Sequence, residues 1–218
     1  VTSGKLYHTS QTSDGGYIMC GWVGYVSENL YVVKTNSLGQ IEWENLYENN
    51  SGNQHGFFVF EDFENNYLVF GDFGVKKLDP NGSELWTNGG ISLGGDYMSI
   101  RHGEKLSTGN YITGINYTNY IPGGSHIDIL LSYYDFEGNI IWSNNYGSPQ
   151  YNETIYQVRE TSDGGFVTIG NKDSNIYIMK INNSGGIEWT NELLEGDGRC
   201  IQETSDGGYI IGGEINNQ

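Results

Sequence analysis

Aromatic side chains stand next to hydrogen-bonding groups in two segments of the sequence, 22–28 and 116–126. Such combinations suit carbohydrate binding, because a sugar ring stacks on a flat apolar face while its hydroxyl groups need fixed polar partners. The candidate ligand-binding residues are Trp22, Tyr25, Tyr117, Tyr120 and His126. The alternative is a pair of solvated loops whose aromatic side chains lie on the protein surface.

Three carboxylates, Asp96, Glu153 and Asp197, each precede a segment in which apolar and polar residues alternate. Brought together, they could bind Ca²⁺, which prefers several oxygen ligands, or they could act as an acid–base pair. The sequence contains no Asp-x-Asp-x-Asp loop, so solvated surface charge is the alternative. The sequence establishes no cofactor, and Ca²⁺ is the candidate that these residues suggest.

The chain is strongly acidic, with a formal net charge of −17 and a pI near 4.3. Nucleic-acid binding depends on clustered Lys and Arg that displace counterions, so 10 basic against 27 acidic residues exclude nucleic acid as a partner. No apolar run approaches the roughly 20 residues of a membrane-spanning helix, so we expect no membrane insertion. Cys20 and Cys200 lie far apart in sequence, and we interpret both as small buried side chains.

One unit recurs five times along the chain, and repetition of this kind defines the architecture. Thr-Ser-Asp-Gly-Gly followed by an aromatic residue occurs at 12–18, 161–167 and 204–210, with weaker copies at 64–68 and 108–112. A glycine follows the aromatic residue by three or four positions in each copy: Gly21, Gly71, Gly114, Gly170 and Gly213. A second signature, a glycine followed four residues later by a tryptophan, ends at Trp43, Trp86, Trp142 and Trp189.

Each unit has the pattern of four short strands. In the fourth unit, alternation predicts strands at 155–160, 166–170 and 176–181 and the start of another at 187–189. The Asp-Gly-Gly turns tolerate the positive φ that tight hairpins require, so neighbouring strands should pair antiparallel. A unit of roughly 40 to 50 residues with four such strands has the dimensions of a propeller blade.

We therefore predict an all-β fold, a β-propeller of four-stranded antiparallel blades. It has four complete blades and a half blade, and is about five-bladed or part of a larger propeller. The predicted single domain spans 1–218, with blades at 1–47, 48–90, 91–146 and 147–192 and a partial blade at 193–218. The short turns fall on one face of this arrangement, whereas the variable loops with the candidate ligand residues fall on the other. The three carboxylates are expected near the mouth of the central channel.

The tryptophan signature resembles a known structural motif. The segment 78–86 reads Leu-Asp-Pro-Asn-Gly-Ser-Glu-Leu-Trp and resembles the tryptophan-docking segment of quinoprotein-type (PQQ-like) propellers. The whole unit, with Asp-Gly-Gly-Tyr and the Lys-Ile-Asn-Asn-Ser-Gly of 180–185, resembles tandem propeller repeats of secreted and surface proteins of bacteria and archaea. This resemblance covers essentially the entire chain and implies an extracellular or cell-surface location. The spacing of 135–142 departs from the Asp-box of sialidases, so no sialidase chemistry is inferred.

These observations favour a non-catalytic extracellular binding or surface-display module whose partner is a carbohydrate or another surface protein. The first alternative is an enzyme of the five-bladed glycosidase kind, with carboxylates converging at the channel mouth. A quinoprotein dehydrogenase is disfavoured because no cofactor ligands can be named. A further alternative is a structural subunit of a surface assembly, in which the half blade at 209–213 self-associates by pairing its open edge with another chain.

Overall fold

The computed structural model describes residues 3–24, 27–48, 53–89, 98–121 and 124–216, except for the side chains of residues 98 and 99. All regular secondary structure in these residues is β-strand. The chain divides into two compact units, residues 1–93 with 136–139 and residues 94–135 with 140–218. Among the described residues, no helix is long and apolar enough to cross a membrane.

The first unit contains two four-stranded antiparallel sheets, named blade 1 and blade 2. Blade 1 has the order β1-β2-β3-β4, formed by β1 (Ser3–Gln11), β2 (Tyr17–Gly24), β3 (Asn29–Thr35) and β4 (Ile41–Tyr47). Blade 2 has the order β5-β6-β7-β8, formed by β5 (Gly56–Glu61), β6 (Tyr67–Gly71), β7 (Gly74–Leu78) and β8 (Glu84–Gly89). Each strand therefore pairs with its neighbour in sequence, as an up-and-down blade requires.

The second unit contains blades 3 and 4 and a half blade. Blade 3 consists of β9 (Met98–Lys105), β10 (Tyr111–Ile121), β11 (Gly124–Tyr134) and β12 (Ile140–Tyr146). Blade 4 begins with β13 (Glu153–Glu160), β14 (Phe166–Lys172) and β15 (Asn175–Ile181), and continues into β16 (Ile187–Glu203). The half blade adds β17 (Tyr209–Ile215). The predicted fold class, with four four-stranded antiparallel blades and a half blade, is confirmed.

Strand β16 is shared between blade 4 and the half blade. It pairs with β15 as far as the pair Asn175 and Glu195, and from Gly196 onwards it pairs with β17. At this junction the side-chain amide of Asn171 donates a hydrogen bond to the Gly196 carbonyl over 2.6 Å. The fourth strand of one sheet is thus continuous with the first strand of the next.

The four repeated tryptophans occupy equivalent positions, as the repeat predicts. In the pairing of third and fourth strands, the partners are Trp43 with Lys34, Trp86 with Lys77, Trp142 with Tyr133, and Trp189 with Lys180. A register irregularity follows directly after each of these pairs. The recurrence of the tryptophans in the sequence therefore reflects the same strand register in all four blades.

Trp43 and Trp142 each pack on a glycine of the next blade in the same unit. A Cβ built on Gly82 would lie 2.8 Å from the Trp43 ring, and the Trp43 Nε1–H donates to the Pro80 carbonyl over 2.9 Å. In the second unit Trp142 lies against Gly185 in the same way and donates to the Asn183 carbonyl over 2.9 Å. The turn must present glycine because its φ is positive and the indole fills the adjacent space.

A buried lysine on the third strand ties the Asp-Gly-Gly turn to the fourth strand. The Lys34 ammonium lies 2.7 Å from both Asp14 and Glu42, and its side chain is only 3% exposed. Lys180 repeats the arrangement in blade 4 with Asp163 at 2.9 Å and Glu188 at 3.1 Å. A buried ammonium is costly unless it is paired and hydrogen-bonded, so the two carboxylates compensate for the burial of each lysine.

The hydrophobic core lies between consecutive blades. In the first unit it contains Ile18, Cys20, Leu30, Val32, Val59, Tyr67, Val69 and Leu78, which come from both blades. In the second unit it contains Leu106, Ile112, Ile129, Leu131, Tyr146, Ile155, Val158, Phe166, Met179 and Ile181, from blades 3 and 4. Hydrogen bonds also join consecutive blades near the Asp-Gly-Gly turns. Ser13 donates to Glu61, and Ser162 donates to Glu203.

The half blade leaves apolar and aromatic groups in contact with solvent. Trp189 is 39% exposed and contacts the Tyr209 ring at a centroid distance of 5.7 Å. Cys20 is buried as expected, but Cys200 is exposed, which corrects the expectation from the sequence. Cys20 is covered by side chains of blade 2, whereas no further blade among the described residues packs on the half blade, where Cys200 lies.

The two tryptophans of the second unit provide a matched test of blade docking. We expect Trp142→Ala to lower the free energy of unfolding by about 3 kcal/mol, since a packed indole and its hydrogen bond are lost. Trp189→Ala should cost about 1 kcal/mol, because its ring is exposed and covers less of the fold. Urea unfolding of both variants measures the difference, and equal losses would contradict this role of the docking contact.

The carboxylates of the Asp-Gly-Gly turns predict how the stability of the protein changes at acid pH. Hydrogen bonds lower the pKa of Asp14 to about 2, chiefly from Lys34, and that of Asp163 to about 2, chiefly from Thr161. A depressed folded-state pKa gives stability that is present above the unfolded value of 3.8 and is lost as the pH falls towards 2. The effect of each carboxylate is modest because solvent screens it.

We therefore expect stability to fall between about pH 4 and pH 2, and Asp163→Asn to reduce that slope. Urea unfolding of the wild type and the variant across this range measures the slope. Parallel curves for the two proteins would show that Asp163 does not contribute.

Candidate functional site

The segment predicted as an exposed loop is the outer part of a long hairpin. Strands β10 and β11 stay paired from Tyr111 and Tyr134 out to Ile121 and Gly124. Tyr120 is 64% exposed near the end of this hairpin, but Tyr117 and His126 are each only 6% exposed. The expected exposure is therefore wrong for Tyr117 and His126, because the strands continue and turn these side chains inward.

Tyr117 and His126 meet at the buried carboxylate of Asp128, which was not among the residues predicted from the sequence. Its Oδ2 accepts hydrogen bonds from the Tyr117 hydroxyl at 3.1 Å and the Asn145 amide at 3.2 Å. The Nε2 of His126 lies 3.4 Å from the same oxygen. The only signal in the sequence was a carboxylate between Ile127 and Ile129, next to the apolar run at 129–131.

The second carboxylate oxygen of Asp128, Oδ1, is buried away from solvent. Asp128 is 2% exposed, and its Oδ1 has no hydrogen-bond partner within the described part of the chain. A Cβ on Gly147 would overlap this carboxylate, so glycine is required there for steric reasons. The network thus supports the connection between blades 3 and 4 from its buried side. Asp128 is not accessible to solvent.

Glu153 is the first residue of β13, directly after that connection, and it is 5% exposed. Its carboxylate accepts hydrogen bonds from the Ser148 backbone N–H at 3.3 Å and the Ser148 hydroxyl at 3.2 Å. Burial raises the pKa of Glu153 and the charge of Asp128 adds to this, whereas Ser148 and Lys172 act in the opposite direction. A carboxyl group with a raised pKa in a cavity wall is a typical feature of functional sites.

A cavity of 360 Å³ opens beside Glu153, and we name it the tyrosine pocket. It is lined by Tyr146, Gly147, Ser148, Gln150, Tyr151, Glu153, Lys172, Tyr177, Met179 and Ile187. The Lys172 ammonium lies 4.5 Å from the centre of the Tyr151 ring and 5.8 Å from that of Tyr177. It also bonds Glu192 at 2.7 Å. The pocket combines aromatic faces with a carboxylate, an ammonium group and an amide.

A larger cavity of 620 Å³ lies on the turn side of the first unit, between blades 1 and 2. Its lining includes Asp14, Lys34, Glu42, Trp43 and Glu61. These groups are already used, since Lys34 pairs with both Asp14 and Glu42, Glu61 binds Ser13, and Trp43 is docked. Size alone therefore does not make this cavity the better candidate, because its polar groups have little capacity left for a ligand.

Of the other two predicted metal ligands, Asp197 lies within the described residues. Asp197 pairs with Arg199 at 2.7 Å and accepts a hydrogen bond from Asn171 at 3.0 Å. Asp96 and Tyr25 lie outside the described residues. Within the described ranges, no group of three His, Cys, Asp or Glu side chains is arranged to hold a metal ion. The Ca²⁺ site remains a prediction.

Trp22 belongs to a separate aromatic arrangement in the first unit. Its Nε1–H donates to the Tyr7 hydroxyl over 3.0 Å, and its ring lies 5.9 Å from that of His55. The His55 Nε2 lies 2.5 Å from Glu28, and its Nδ1 lies 3.0 Å from Asp72. Glu28, His55 and Asp72 come from three separate segments, so no spacing rule in the sequence could have grouped them.

Comparison with known proteins supports the fold and leaves the activity open. No protein-family model and no curated protein matches the chain. Among solved structures, it is similar to a protein of unknown function from Bacteroides caccae, with a TM-score of 0.55 and 13% identity over 90% of this chain and 64% of that one. The chain thus spans less than two thirds of that protein's length, and at this identity the likeness concerns the fold alone.

Two further structures match with lower scores. Streptogramin B lyase has a TM-score of 0.45 and 10% identity over 100% of this chain and 88% of that one. The extracellular domain of a protein described as a hybrid two-component system from B. thetaiotaomicron has a TM-score of 0.34 and 12% identity over 98% of this chain and 38% of that one. Neither match carries an argument about function.

Two tyrosines on the same strand test the buried network. Tyr117→Phe removes a donor from the buried Asp128 carboxylate, so we expect it to lower the free energy of unfolding by about 1 to 2 kcal/mol. Tyr120→Phe makes the same chemical change at an exposed position and should leave stability within about 0.5 kcal/mol. Thermal or urea unfolding of both variants decides, and a neutral Tyr117→Phe would show that the hydroxyl does not support Asp128.

Proposed function

We propose that this protein is a non-catalytic carbohydrate-binding module of a secreted or cell-surface protein, and that the sugar binds in the tyrosine pocket. The observation that carries the proposal is the pairing of Tyr151 and Tyr177 with Glu153, Gln150 and Lys172 around one cavity. Sugar recognition needs this combination, because the apolar face of the ring stacks on an aromatic side chain while the hydroxyl groups bind fixed polar groups.

The chemistry of the pocket supports a small polyhydroxylated ligand. Tyr151 is 41% exposed, so its ring is accessible for stacking, and the half-buried Tyr177 lines the same cavity. The Glu153 carboxylate can accept hydrogen bonds from sugar hydroxyls, whereas Lys172 and Gln150 can donate them. A volume of 360 Å³ lies at the lower end of the usual range for ligand pockets, which favours one or two sugar rings.

The buried network behind the pocket supports its shape. Gly147 lines the pocket and lies against Asp128, which Tyr117, Asn145 and His126 hold in place. These residues therefore act as positioning groups, whereas the sequence predicted Tyr117 and His126 as direct ligand contacts. Tyr120, exposed near the end of the same hairpin, stays a proposed contact for a longer ligand.

The extracellular part of the proposal rests on the sequence. The repeat resembles those of secreted and surface propeller proteins, and a net charge of −17 suits a soluble module that is repelled by anionic polymers. A regular scaffold of strands holds the connections between blades in fixed positions, and such connections often carry binding residues.

A glycosidase is the second candidate, and one observation favours it: the raised pKa of Glu153, which a general acid would need. Hydrolysis of a glycosidic bond normally takes two carboxyl groups that flank the bond. Glu153 is the single carboxyl group that lines the pocket among the described residues, and Asp128 is sealed behind Gly147. Binding without turnover is therefore the better supported function.

The test begins with a glycan array of the full chain, followed by calorimetry with the sugars that bind. We expect Tyr151→Ala to weaken binding at least tenfold, which is about 1.4 kcal/mol, because the stacking face is removed. Glu153→Gln should weaken it several-fold, since an amide accepts hydrogen bonds less strongly than a carboxylate. Phe63→Ala removes a 70% exposed aromatic side chain of the first unit and serves as the matched control.

Three outcomes would overturn parts of this proposal. No selective binding on the array would exclude the carbohydrate ligand, and unchanged affinity of Tyr151→Ala would exclude the pocket. Turnover of chromogenic glycosides that Glu153→Gln abolishes would replace the binding module with the enzyme.

A further inference from the structure

The half blade presents an open strand edge, because β17 pairs only with β16 within the described residues. In each four-stranded blade, the second strand pairs with a third strand as well, as β14 does with β15. The half blade also exposes apolar side chains, since Ile210 is 63% exposed and Ile215 is 60% exposed. The free backbone groups of such an edge can pair with a further strand.

In blades 1 and 3, two side chains of the fourth strand receive a glycine turn of the next blade. The Trp43 ring lies on Gly82, and the Asn45 amide donates a hydrogen bond to the Gly82 carbonyl over 2.9 Å. Blade 3 repeats both contacts, with an amide-to-carbonyl distance of 3.3 Å, through Trp142, Asn144 and Gly185. The receptor for the turn is therefore a tryptophan followed two residues later by an asparagine.

Blade 4 carries the same pair of side chains, Trp189 and Asn191, next to the half blade. Trp189 contacts the Tyr209 ring at 5.7 Å, just as Trp43 contacts the Tyr67 ring at 5.9 Å. The aromatic residue of β17 therefore already occupies its docked position. In the part of the chain that the structure describes, no carbonyl accepts a hydrogen bond from the Trp189 indole or the Asn191 amide. Both groups remain available for a glycine turn.

The four-stranded blades couple an acidic turn residue to a lysine on the third strand. The acidic residue stands three positions before the aromatic residue of the second strand, and the lysine pairs in register with the repeated tryptophan. The ion pairs are Asp14 with Lys34, Glu64 with Lys77, and Asp163 with Lys180. Blade 3 has Thr108 and Tyr133 at these two positions, so it lacks both charges together.

Asp206 occupies the acidic turn position of the half blade and is exposed. Its Oδ1 accepts hydrogen bonds from the Thr204 hydroxyl at 2.5 Å and the Gly208 N–H at 3.1 Å. No described lysine or arginine pairs with this carboxylate. By the coupling seen in the other blades, a strand that pairs with β17 should place a lysine beside Asp206.

We propose that the half blade binds a β-hairpin of another polypeptide, whose first strand pairs with β17. This hairpin carries a lysine five residues before the glycine of its turn, the spacing of Lys34 and Gly39 in this chain. The lysine pairs with Asp206, and the glycine turn lies on Trp189 and Asn191. A single strand would use the edge but would leave Trp189 and Asn191 without a turn, so a hairpin fits better.

The site is independent of the proposed sugar site, because it shares no lining residue with the tyrosine pocket. The partner is recognised by charge, by backbone pairing and by the shape of its turn together. Charge complementarity is specific here, since an acidic residue in the same place as Asp206 would be repelled.

The binding experiment uses the full chain and a dye-labelled cyclic peptide that contains residues 29–45, the hairpin of β3 and β4. Cyclisation forms the hairpin before binding and so removes its ordering cost. Fluorescence anisotropy should show saturable binding of this peptide. Lys34→Met in the peptide should weaken binding about tenfold, because the Asp206 carboxylate then has no cationic partner.

A double-mutant cycle assigns that loss to the proposed contact. Asp206→Asn keeps the side-chain oxygen that accepts from Gly208 but removes the charge, so this variant should bind the lysine and methionine peptides alike. Asp163→Asn makes the same change in a turn that already has its lysine, and it should still discriminate between the two peptides about tenfold. Trp189→Ala should weaken both peptides several-fold, because the turn loses its docking surface.

Three results would overturn the proposal. The first is the absence of saturable binding of the cyclic peptide. The second is an Asp206→Asn variant that still discriminates between the two peptides as the wild type does. The third comes from light scattering of the full chain without peptide, for which we expect a monomer. A dimer that both Asp206→Asn and Trp189→Ala dissociate would place a second copy of this chain on the edge instead.

Discussion

An indole ring packed on a glycine with left-handed backbone is the contact on which the blades of each unit depend. Trp43 lies on Gly82 and Trp142 on Gly185, and both glycines have φ near 80°. A side chain at either position would strain the backbone, and its Cβ would also crowd the indole ring. A four-stranded sheet cannot bury both faces by itself, so this contact brings the apolar faces of consecutive blades together. The buried lysines then hold the turn region of the same blades by charge.

Side chains from consecutive blades and from the connections between them meet in both units. In the first unit, blade 1 brings Tyr7 and Trp22 next to Phe57 of β5 and to His55, which directly precedes β5. In the second unit, the connection after blade 3 and the strands of blade 4 line the tyrosine pocket. The blades fix the relative positions of side chains that are distant in sequence, which lowers the entropic cost of binding. The regular scaffold thus leaves the loops and connections free to differ between blades.

The repeat could be predicted from the sequence because turn chemistry and tryptophan spacing are local properties. The exposure of Tyr117 and His126 could not, since the Pro and Gly residues at 122–124 suggested a loop where the strands in fact stay paired to Ile121 and Gly124. The burial of Asp128 could not be predicted from the sequence either. Its burial depends on Gly147 and Asn145 from another strand and its connection, and a sequence pattern within β11 contains no information about them.

Strand β16 has a mechanical consequence, because its 17 residues run without interruption through blade 4 and the half blade. Blades 3 and 4 are joined by the connecting segment 147–152, whereas this junction is a single extended backbone held by Asn171. A pulling force along the half-blade part of β16 would therefore load the hydrogen bonds between β15 and β16 in shear. The two sheets behave as one element under tension, and the junction transmits force directly from one to the other.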